Sequence, residues 1–238
     1  MTTYVLRHGP TDHSRRYVVN GDPARPIHLS EDGRRALAKG WKSLPLHSVR
    51  TWVASEFPRA QQSASLLMGV PGPELITDPR LNELDYGIFE GKPFLEYAAW
   101  LDGHGADGRP PGSSESQNEG IHRMLTGVLA ALDHPGPRVL VAHGLLISVL
   151  LWHRVRTPGR TMPLFFPEAP YVEPVAIPDE ELPEYIGTLM NDLEADADRR
   201  ADDTDGGRAF RNGSGSAVAT VDSASPSHSQ HQKDLPHA

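Results

Sequence analysis

The sequence predicts an α/β protein of three layers, in which helices cover both faces of a mostly parallel central sheet. Three observations predict this fold. Short apolar runs alternate with segments of helical periodicity along the chain. Residues 139–142 (VLVA) have the composition of a buried strand and lead at once into an apolar helix over residues 145–152. The chain has 238 residues, which is enough for one α/β domain with a sizeable core.

The first half of the chain contains three of the predicted strands. A loop-like stretch over residues 10–26 follows the first strand, and Ser30 is the predicted N-cap of a helix that ends before Pro45. Pro58 stands where proline is favoured, at the start of a second helix. Strands are predicted where short apolar runs are bounded by turn residues: residues 4–6, 49–54 and 75–76.

The second half begins with residues 82–115, which are rich in glycine, proline and acidic side chains; the aromatic stretch 94–100 within them is interpreted as packing. A helix is predicted from Ser116 to Pro135, ahead of the VLVA strand. Beyond residue 155 the chain is proline-rich, and one or two final strands are expected at an edge of the sheet. We predict three parts: a catalytic domain (1–178), an acidic amphipathic helix (179–200) and a disordered tail (201–238).

The charge of the chain is unevenly distributed. Residues 179–238 carry 13 acidic and 5 basic side chains, whereas residues 1–178 carry 18 of each, so the C-terminal part accounts for the formal charge of −8. A neutral folded part argues against a nucleic-acid partner. A small anionic substrate needs only a few convergent arginines.

Cysteine is absent, which excludes disulfides and thiolate chemistry. The N-terminal MTTYVLRHG has neither a charged leader nor a long apolar run, and no apolar stretch is long enough to cross a bilayer. These features predict a cytoplasmic protein without a membrane partner. The oligomeric state is left open.

Cationic side chains follow three of the predicted strands. Arg7 and His8 end the first, Arg59 lies in the first turn of the helix after the second, and His143 follows the VLVA strand. Because the ends of parallel strands share one edge of the sheet, these groups are expected to meet there. Two guanidinium forks beside the N-termini of helices suit a phosphate group, and an imidazole at the centre can act as nucleophile.

Four motifs stand in order along residues 3–153: R-H-G-x-T at Arg7–Thr11, S-x-x-x-R-A-x-Q-S-A at 55–64, L-x-E-x-x-x-G-x-x-E-G at 81–91, and His143-Gly144. A softer G-x-S-E-S element at 112–116 precedes a helix with Arg123. With these motifs the sequence resembles the histidine phosphatase superfamily, also called the phosphoglycerate mutase-like family, in its phosphatase branch. The resemblance implies a phosphoglycerate mutase-like fold and a metal-independent phosphomonoester hydrolase without a cofactor.

The resemblance also implies a role for each matching residue. His8 would attack phosphorus and form a phosphohistidine, and Glu83 would protonate the leaving oxygen and then activate water. Asp85 and Glu90 are the alternative acids in the same segment, although Glu90 is interpreted as a structural loop carboxylate. The expected substrate contacts are made by Arg7, Thr11, Ser14, Arg59, His143 and Gly144.

Two positions depart from the family pattern. Ser14 stands where the family often has asparagine, but a hydroxyl can still donate one hydrogen bond to a phosphate oxygen. Pro10 replaces a commonly acidic residue, which changes the charge near the mouth of the site.

Hydrolysis of a small phosphomonoester is the favoured function. A mutase must exclude water from its phosphoenzyme, and the roughly twenty residues between Gly91 and Gly112 are few for a lid that seals the site. Mutase-type phosphoryl transfer is the second hypothesis, and a non-catalytic phosphate-binding module is the third. A metal-dependent hydrolase is a further alternative, because the chain has 12 histidines. Substrate selectivity is expected to depend on residues 10–28, 92–112 and 156–174.

Overall fold

The structure of the protein, a computed structural model, describes residues 1–38, 46–69, 72–157 and 159–209, with the backbone alone for 196–209. It divides into two compact units, Met1–Arg200 and Ala201–Ala238. None of the helices in the described part is long and apolar enough to cross a membrane.

A five-stranded sheet forms the middle layer. The strands are β1 (Thr2–Arg7), β2 (Thr51–Ala54), β3 (Leu75–Thr77), β4 (Arg138–Ala142) and β5 (Pro174–Pro178). Their order is β3-β2-β4-β1-β5; the first four strands in this order are parallel, and β5 runs antiparallel to β1 at the edge. This confirms the predicted α/β class with a mostly parallel sheet. In the register of β1 with β4, Arg7 lies opposite Ala142, so the residues that follow the two strands start side by side.

The helices are α1 (Asp12–Arg15), α2 (Glu31–Ala38), α3 (Pro58–Met68), α4 (Phe94–His104), α5 (Gln117–Ala130), α6 (Gly144–Val155) and α7 (Leu182–Ala209). Alternating strand side chains build one core on each face of the sheet. Val5 and Leu140 point into the cluster formed with α5, α6 and α7, and Leu6 and Val141 into the cluster formed with α2 and α3. Because β4 is buried on both faces, its residues 139–142 are all apolar.

Two of the observed helices were not predicted from the sequence. The one-turn helix α1 forms because Thr11 and Ser14 make a capping box, a signal too short to give helical periodicity. The aromatic stretch becomes α4, which buries Tyr97 and Leu101. The predicted first long helix is observed as α2; residues 39–45 of that prediction lie outside the described residues.

The C-terminal part differs in extent from the prediction. One final strand, β5, forms at the edge, where its two prolines are tolerated. Helix α7 continues past residue 200 to Ala209, since neither proline nor glycine follows Arg200 before Gly206. Most of the predicted disordered tail, residues 210–238, lies outside the described residues.

Candidate active site

The two histidines of the motifs meet at the carboxyl edge of the sheet. His8 directly follows β1 and His143 directly follows β4, and the His8 amide extends the ladder by donating to the Ala142 carbonyl at 3.0 Å. Their rings are edge-on, with centroids 5.2 Å apart. Parallel pairing of the two strands therefore produces the predicted convergence.

His8 is a buried, neutral imidazole with a defined tautomer. Its Nδ1 lies 2.7 Å from the Gly9 carbonyl oxygen, and its Nε2 accepts a hydrogen bond of 3.1 Å from Arg59 Nε. Because a carbonyl only accepts, Nδ1 carries the proton and Nε2 carries the lone pair. Burial and the charge of Arg59 hold the pKa of His8 well below its ordinary value. Nε2 of His8 is thus unprotonated at neutral pH.

Arg59 joins three parts of the site. It lies in the first turn of α3, is 4% exposed, and donates from Nη1 to Asn20 Oδ1 and from Nη2 to the Asn20 carbonyl at 3.0 Å. Nη2 also lies 3.3 Å from His143 Nδ1. Burial lowers the pKa of Arg59 to about 10, so the guanidinium still carries its charge at neutral pH.

Asn20 was not found by the sequence analysis. It precedes a turn and belongs to no periodic pattern, so only its long-range partners identify it. Glu90 accepts a 2.7 Å hydrogen bond from the Asn20 amide and another of 2.7 Å from the Gly21 N–H. Glu90 is therefore the structural loop carboxylate that was predicted, and it orients the amide that holds Arg59.

The two terminal nitrogens of Arg7 have hydrogen-bond partners, and its Nε has none among the described residues. Its Nη1 donates to the Ala169 carbonyl at 2.6 Å and to Glu168 at 3.1 Å, and its Nη2 donates to the Tyr171 hydroxyl at 2.8 Å. The guanidinium lies 3.7 Å from the centroid of the Tyr171 ring. Its buried Nε has no hydrogen-bond partner in the described part of the chain and lies next to Gly144, and both residues line the cavity. A ligand oxygen would supply the missing acceptor.

His143 lies behind the cavity wall. It is fully buried, its Nε2 is 2.8 Å from Ser55 Oγ, and its ring packs edge-on against Phe57. Burial and the charge of Arg59 hold its pKa well below the ordinary value. The residues that line the cavity include His8 and Arg59, and His143 is in contact with both.

Of the three candidate acids, Glu83 alone lines the cavity that contains His8. Burial raises the pKa of Glu83 above its ordinary value, although the Leu84 N–H and the charges of Arg59 and Arg7 oppose this effect. Burial would also raise the pKa of Asp85, but hydrogen bonds from Ser114 and Gly87 outweigh it and lower that pKa.

Arg123 fixes the loop that carries Glu83. Its Nη1 donates to the carbonyls of Arg80 and Asn82, both at 2.9 Å, and its Nε donates to the Glu115 carboxylate at 2.9 Å. The G-x-S-E-S element at 112–116 thus supplies the carboxylate that orients Arg123. These hydrogen bonds to backbone carbonyls hold the loop in place. A fixed loop suits Glu83, because an acid must keep one position relative to the group it protonates.

The remaining predicted contacts lie on the cavity wall. Thr11 and Ser14 line it, but their hydroxyls are engaged in the capping box of α1, with Thr11 Oγ1 accepting from the Ser14 N–H at 3.0 Å. Gly144 opens α6, which has no side-chain hydrogen bond at its N-cap, so the first amides of that helix are free of a capping side chain.

The aromatic stretch packs, as its interpretation from the sequence has it, and part of it also lines the cavity. Tyr97 is buried in a cluster with Phe89 and Leu101, and Trp100 stacks on His104 with centroids 4.4 Å apart. Phe94 and Tyr97, three residues apart on α4, line the cavity as well.

Within residues 1–38, 46–69, 72–157 and 159–195, no group of three or more His, Asp or Glu side chains is arranged to hold a metal ion.

Comparisons with known proteins agree with this geometry. A family model described as histidine phosphatase superfamily (branch 1) matches residues 3–169. A protein of Cronobacter sakazakii with the name "Probable phosphoglycerate mutase GpmB" is 31% identical over 160 residues, which are 63% of this chain and 73% of that protein.

Solved structures with the same fold include enzymes of two kinds. The mycobacterial glucosyl-3-phosphoglycerate phosphatase in complex with VO3 has a TM-score of 0.54 and 27% identity, over 66% of this chain and 83% of that chain. The phosphoglycerate mutase from Thermus thermophilus has a TM-score of 0.53 and 24% identity, over 74% of this chain and 92% of that chain.

Proposed function

Since the chain belongs to the histidine phosphatase superfamily (branch 1), we propose that it is a phosphomonoesterase that hydrolyses a small phosphorylated metabolite through a phosphohistidine on His8. The observation that carries the proposal is the His8 imidazole: neutral, buried, with the Nε2 lone pair 3.1 Å from Arg59 Nε. When a substrate binds, its phosphoryl group would replace this hydrogen bond, so that Nε2 faces phosphorus and the guanidinium faces the phosphoryl oxygens.

The proposed reaction has two steps. In the first, His8 Nε2 forms a bond to phosphorus while the ester P–O bond breaks, and Glu83 gives its proton to the leaving oxygen. In the second, Glu83 takes a proton from water, the water oxygen bonds to phosphorus, and the N–P bond breaks to release phosphate. A carboxyl of raised pKa supports both roles, because it can be protonated in the first step and regenerated in the second.

Positive charge supports the transition state. Arg7 and Arg59 line the same cavity, and their guanidinium groups would hold the equatorial oxygens as their charge shifts. His143 would act through Arg59 and His8, which it contacts, and we propose a positioning role for it.

The second candidate function is mutase-type phosphoryl transfer, which is favoured by the name of the Cronobacter sakazakii relative. The two functions separate in one experiment. A phosphatase releases phosphate from p-nitrophenyl phosphate with chelator present and without any bisphosphorylated primer. Weak hydrolysis together with primer-dependent isomerisation of a phosphoglycerate would support the mutase. Loss of hydrolysis with chelator would support a metal-dependent hydrolase. Phosphate binding without turnover would support the non-catalytic module.

Glu83→Gln is expected to lower kcat/KM for an alkyl phosphate by about 10²- to 10³-fold, the usual contribution of a general acid. The loss should be smaller for p-nitrophenyl phosphate, whose leaving group does not need a proton. In the wild-type enzyme, kcat/KM should fall as pH rises through the raised pKa of Glu83, because the first step requires its protonated form. Glutamine does not titrate, so this limb should disappear from the pH profile.

Asp85→Asn is the matched control for the acid. Its carboxylate accepts hydrogen bonds from Gly87 and Ser114 outside the cavity, so the variant should keep the alkaline limb of the profile. If Asp85→Asn removes that limb and Glu83→Gln keeps it, the assignment of the acid is wrong. Measuring both variants on one substrate cancels the ionisation of the substrate itself.

A further inference from the structure

We infer that the substrate is the phosphate ester of an uncharged, largely apolar alcohol or phenol, with no second anionic group. This inference rests on the proposed function and concerns the part of the cavity that would receive the leaving group. The cavity has a volume of about 310 Å³, at the lower end of the range for small-molecule sites.

The wall beyond the phosphate centre is mainly apolar. Residues of the three segments expected to set selectivity (10–28, 92–112 and 156–174) form this wall, together with residues beside Glu83 and residues of α6. The aliphatic side chains that line it are Val18, Val19, Ile27, Leu84, Leu145 and Leu164. Burying an apolar ligand surface against such a wall is favourable in proportion to the area removed from water.

Three partly exposed aromatic residues surround the mouth. Tyr17, Phe94 and Phe165 line the cavity with relative exposures of 63%, 38% and 42%. Tyr17 has a backbone φ of 54°, in the left-handed region that non-glycine residues rarely adopt, and its carbonyl accepts from the Phe94 N–H at 2.6 Å. This hydrogen bond joins the Tyr17 backbone to that of Phe94, and both residues line the cavity.

Charges on the wall oppose a second anionic group. The cationic side chains that line it are Arg7 and Arg59, which belong to the phosphate centre, and His13, whose pKa is lowered by burial and by the charges of Arg16 and Arg59. Glu168 also lines the cavity, and its carboxylate would repel a substrate carboxylate. Within the described part of the chain, the wall offers no further cation to pair with one.

The polar side chains of the wall are largely occupied by the protein. Gln117 donates to the Leu164 carbonyl at 2.9 Å and accepts from the Tyr97 hydroxyl at 3.4 Å, and Ser148 donates to the Pro167 carbonyl at 2.8 Å. A sugar would have to bury several hydroxyls with few partners, which costs free energy for each unpaired group. Tyr17, Tyr86 and His13 contribute other polar groups of the wall, few for a sugar with several hydroxyls.

The test is a series of n-alkyl phosphates from ethyl to octyl, which share one leaving-group chemistry. We expect kcat/KM to rise about fourfold per methylene until the cavity is filled, and hexyl phosphate to exceed 3-phosphoglycerate and glucose 6-phosphate by about 100-fold. Phe94→Ser should flatten the series. Leu95→Ser is the matched control, because Leu95 is its neighbour on α4, is 76% exposed and lies off the cavity wall.

Binding of n-alkyl phosphonates, measured by calorimetry, separates this inference from the proposed function. A flat hydrolysis series, or faster turnover of 3-phosphoglycerate than of hexyl phosphate, overturns the substrate class and leaves the phosphatase standing. If no ester is hydrolysed but phosphonate affinity rises with chain length, the proposed function is wrong and the apolar site is supported. If affinity does not depend on chain length, the apolar site is wrong.

Discussion

His8→Ala is expected to lower kcat/KM for p-nitrophenyl phosphate by on the order of 10⁵-fold, a loss typical of removing the nucleophile from a coupled catalytic set. The physical reason is that no other group takes over the attack. The imidazole of His143, which also contacts Arg59, is buried behind the cavity wall with Ser55 at its Nε2. Arg7 and Arg59 remain in the variant and should still bind inorganic phosphate.

The decisive measurement is the covalent intermediate. After brief mixing with ³²P-labelled substrate and quenching in alkali, the wild-type protein should carry an acid-labile label on the peptide that contains His8, and His8→Ala should carry none. His8→Asn provides the control for folding, since it keeps a polar side chain beside the Gly9 carbonyl. A label in the alanine variant, or activity within tenfold of wild type, would exclude His8 as the nucleophile.

Arg59→Met should lower kcat/KM by about 10³- to 10⁴-fold. Removing one donor to a developing negative charge typically costs 10²- to 10³-fold, and this variant also removes the N–H that faces His8 Nε2. Arg59→Lys should recover only a small part of the loss, because an ammonium retains the charge but cannot reach His8 and Asn20 at once.

Inhibition by inorganic phosphate provides a second measurement of the role of Arg59. The inhibition constant for inorganic phosphate should increase in Arg59→Met along with the loss of rate, since one group serves both binding and the transition state. Arg35→Lys is the matched control, because Arg35 is exposed and paired with Asp32 on the surface of α2. An Arg59→Met enzyme with unchanged phosphate inhibition would contradict the proposed role.

Part of the site could be predicted because its residues follow strands. The apolar run before Arg7-His8 and the VLVA run before His143 each identify a buried strand, and parallel pairing then brings the two strand ends together. The start of α3 at Pro58 places Arg59 in the first helical turn. These positions depend on local periodicity and on one rule of sheet topology.

Other parts depend on contacts between residues distant in sequence. Asn20 meets Arg59, and Tyr171 meets Arg7, across loops whose paths no local pattern predicts. The choice between Glu83 and Asp85 as the acid also depends on such contacts. The N–H groups of Gly87 and Ser114 donate to the Asp85 carboxylate, which lies outside the cavity that Glu83 lines. Glu83 and Asp85 lie at almost the same distance from His8 in the sequence, so spacing alone does not identify the acid.

The sequence by itself determined the layered α/β fold, the order of the elements and the set of cationic groups at one edge of the sheet, because side-chain direction repeats along a helix or strand and is recorded in the pattern of residues. Only the tertiary structure decided the tautomer of His8, the place of His143 behind the wall and the apolar lining of the cavity. Those features depend on which groups of distant segments exclude water together, and burial of that kind is a property of the packed chain.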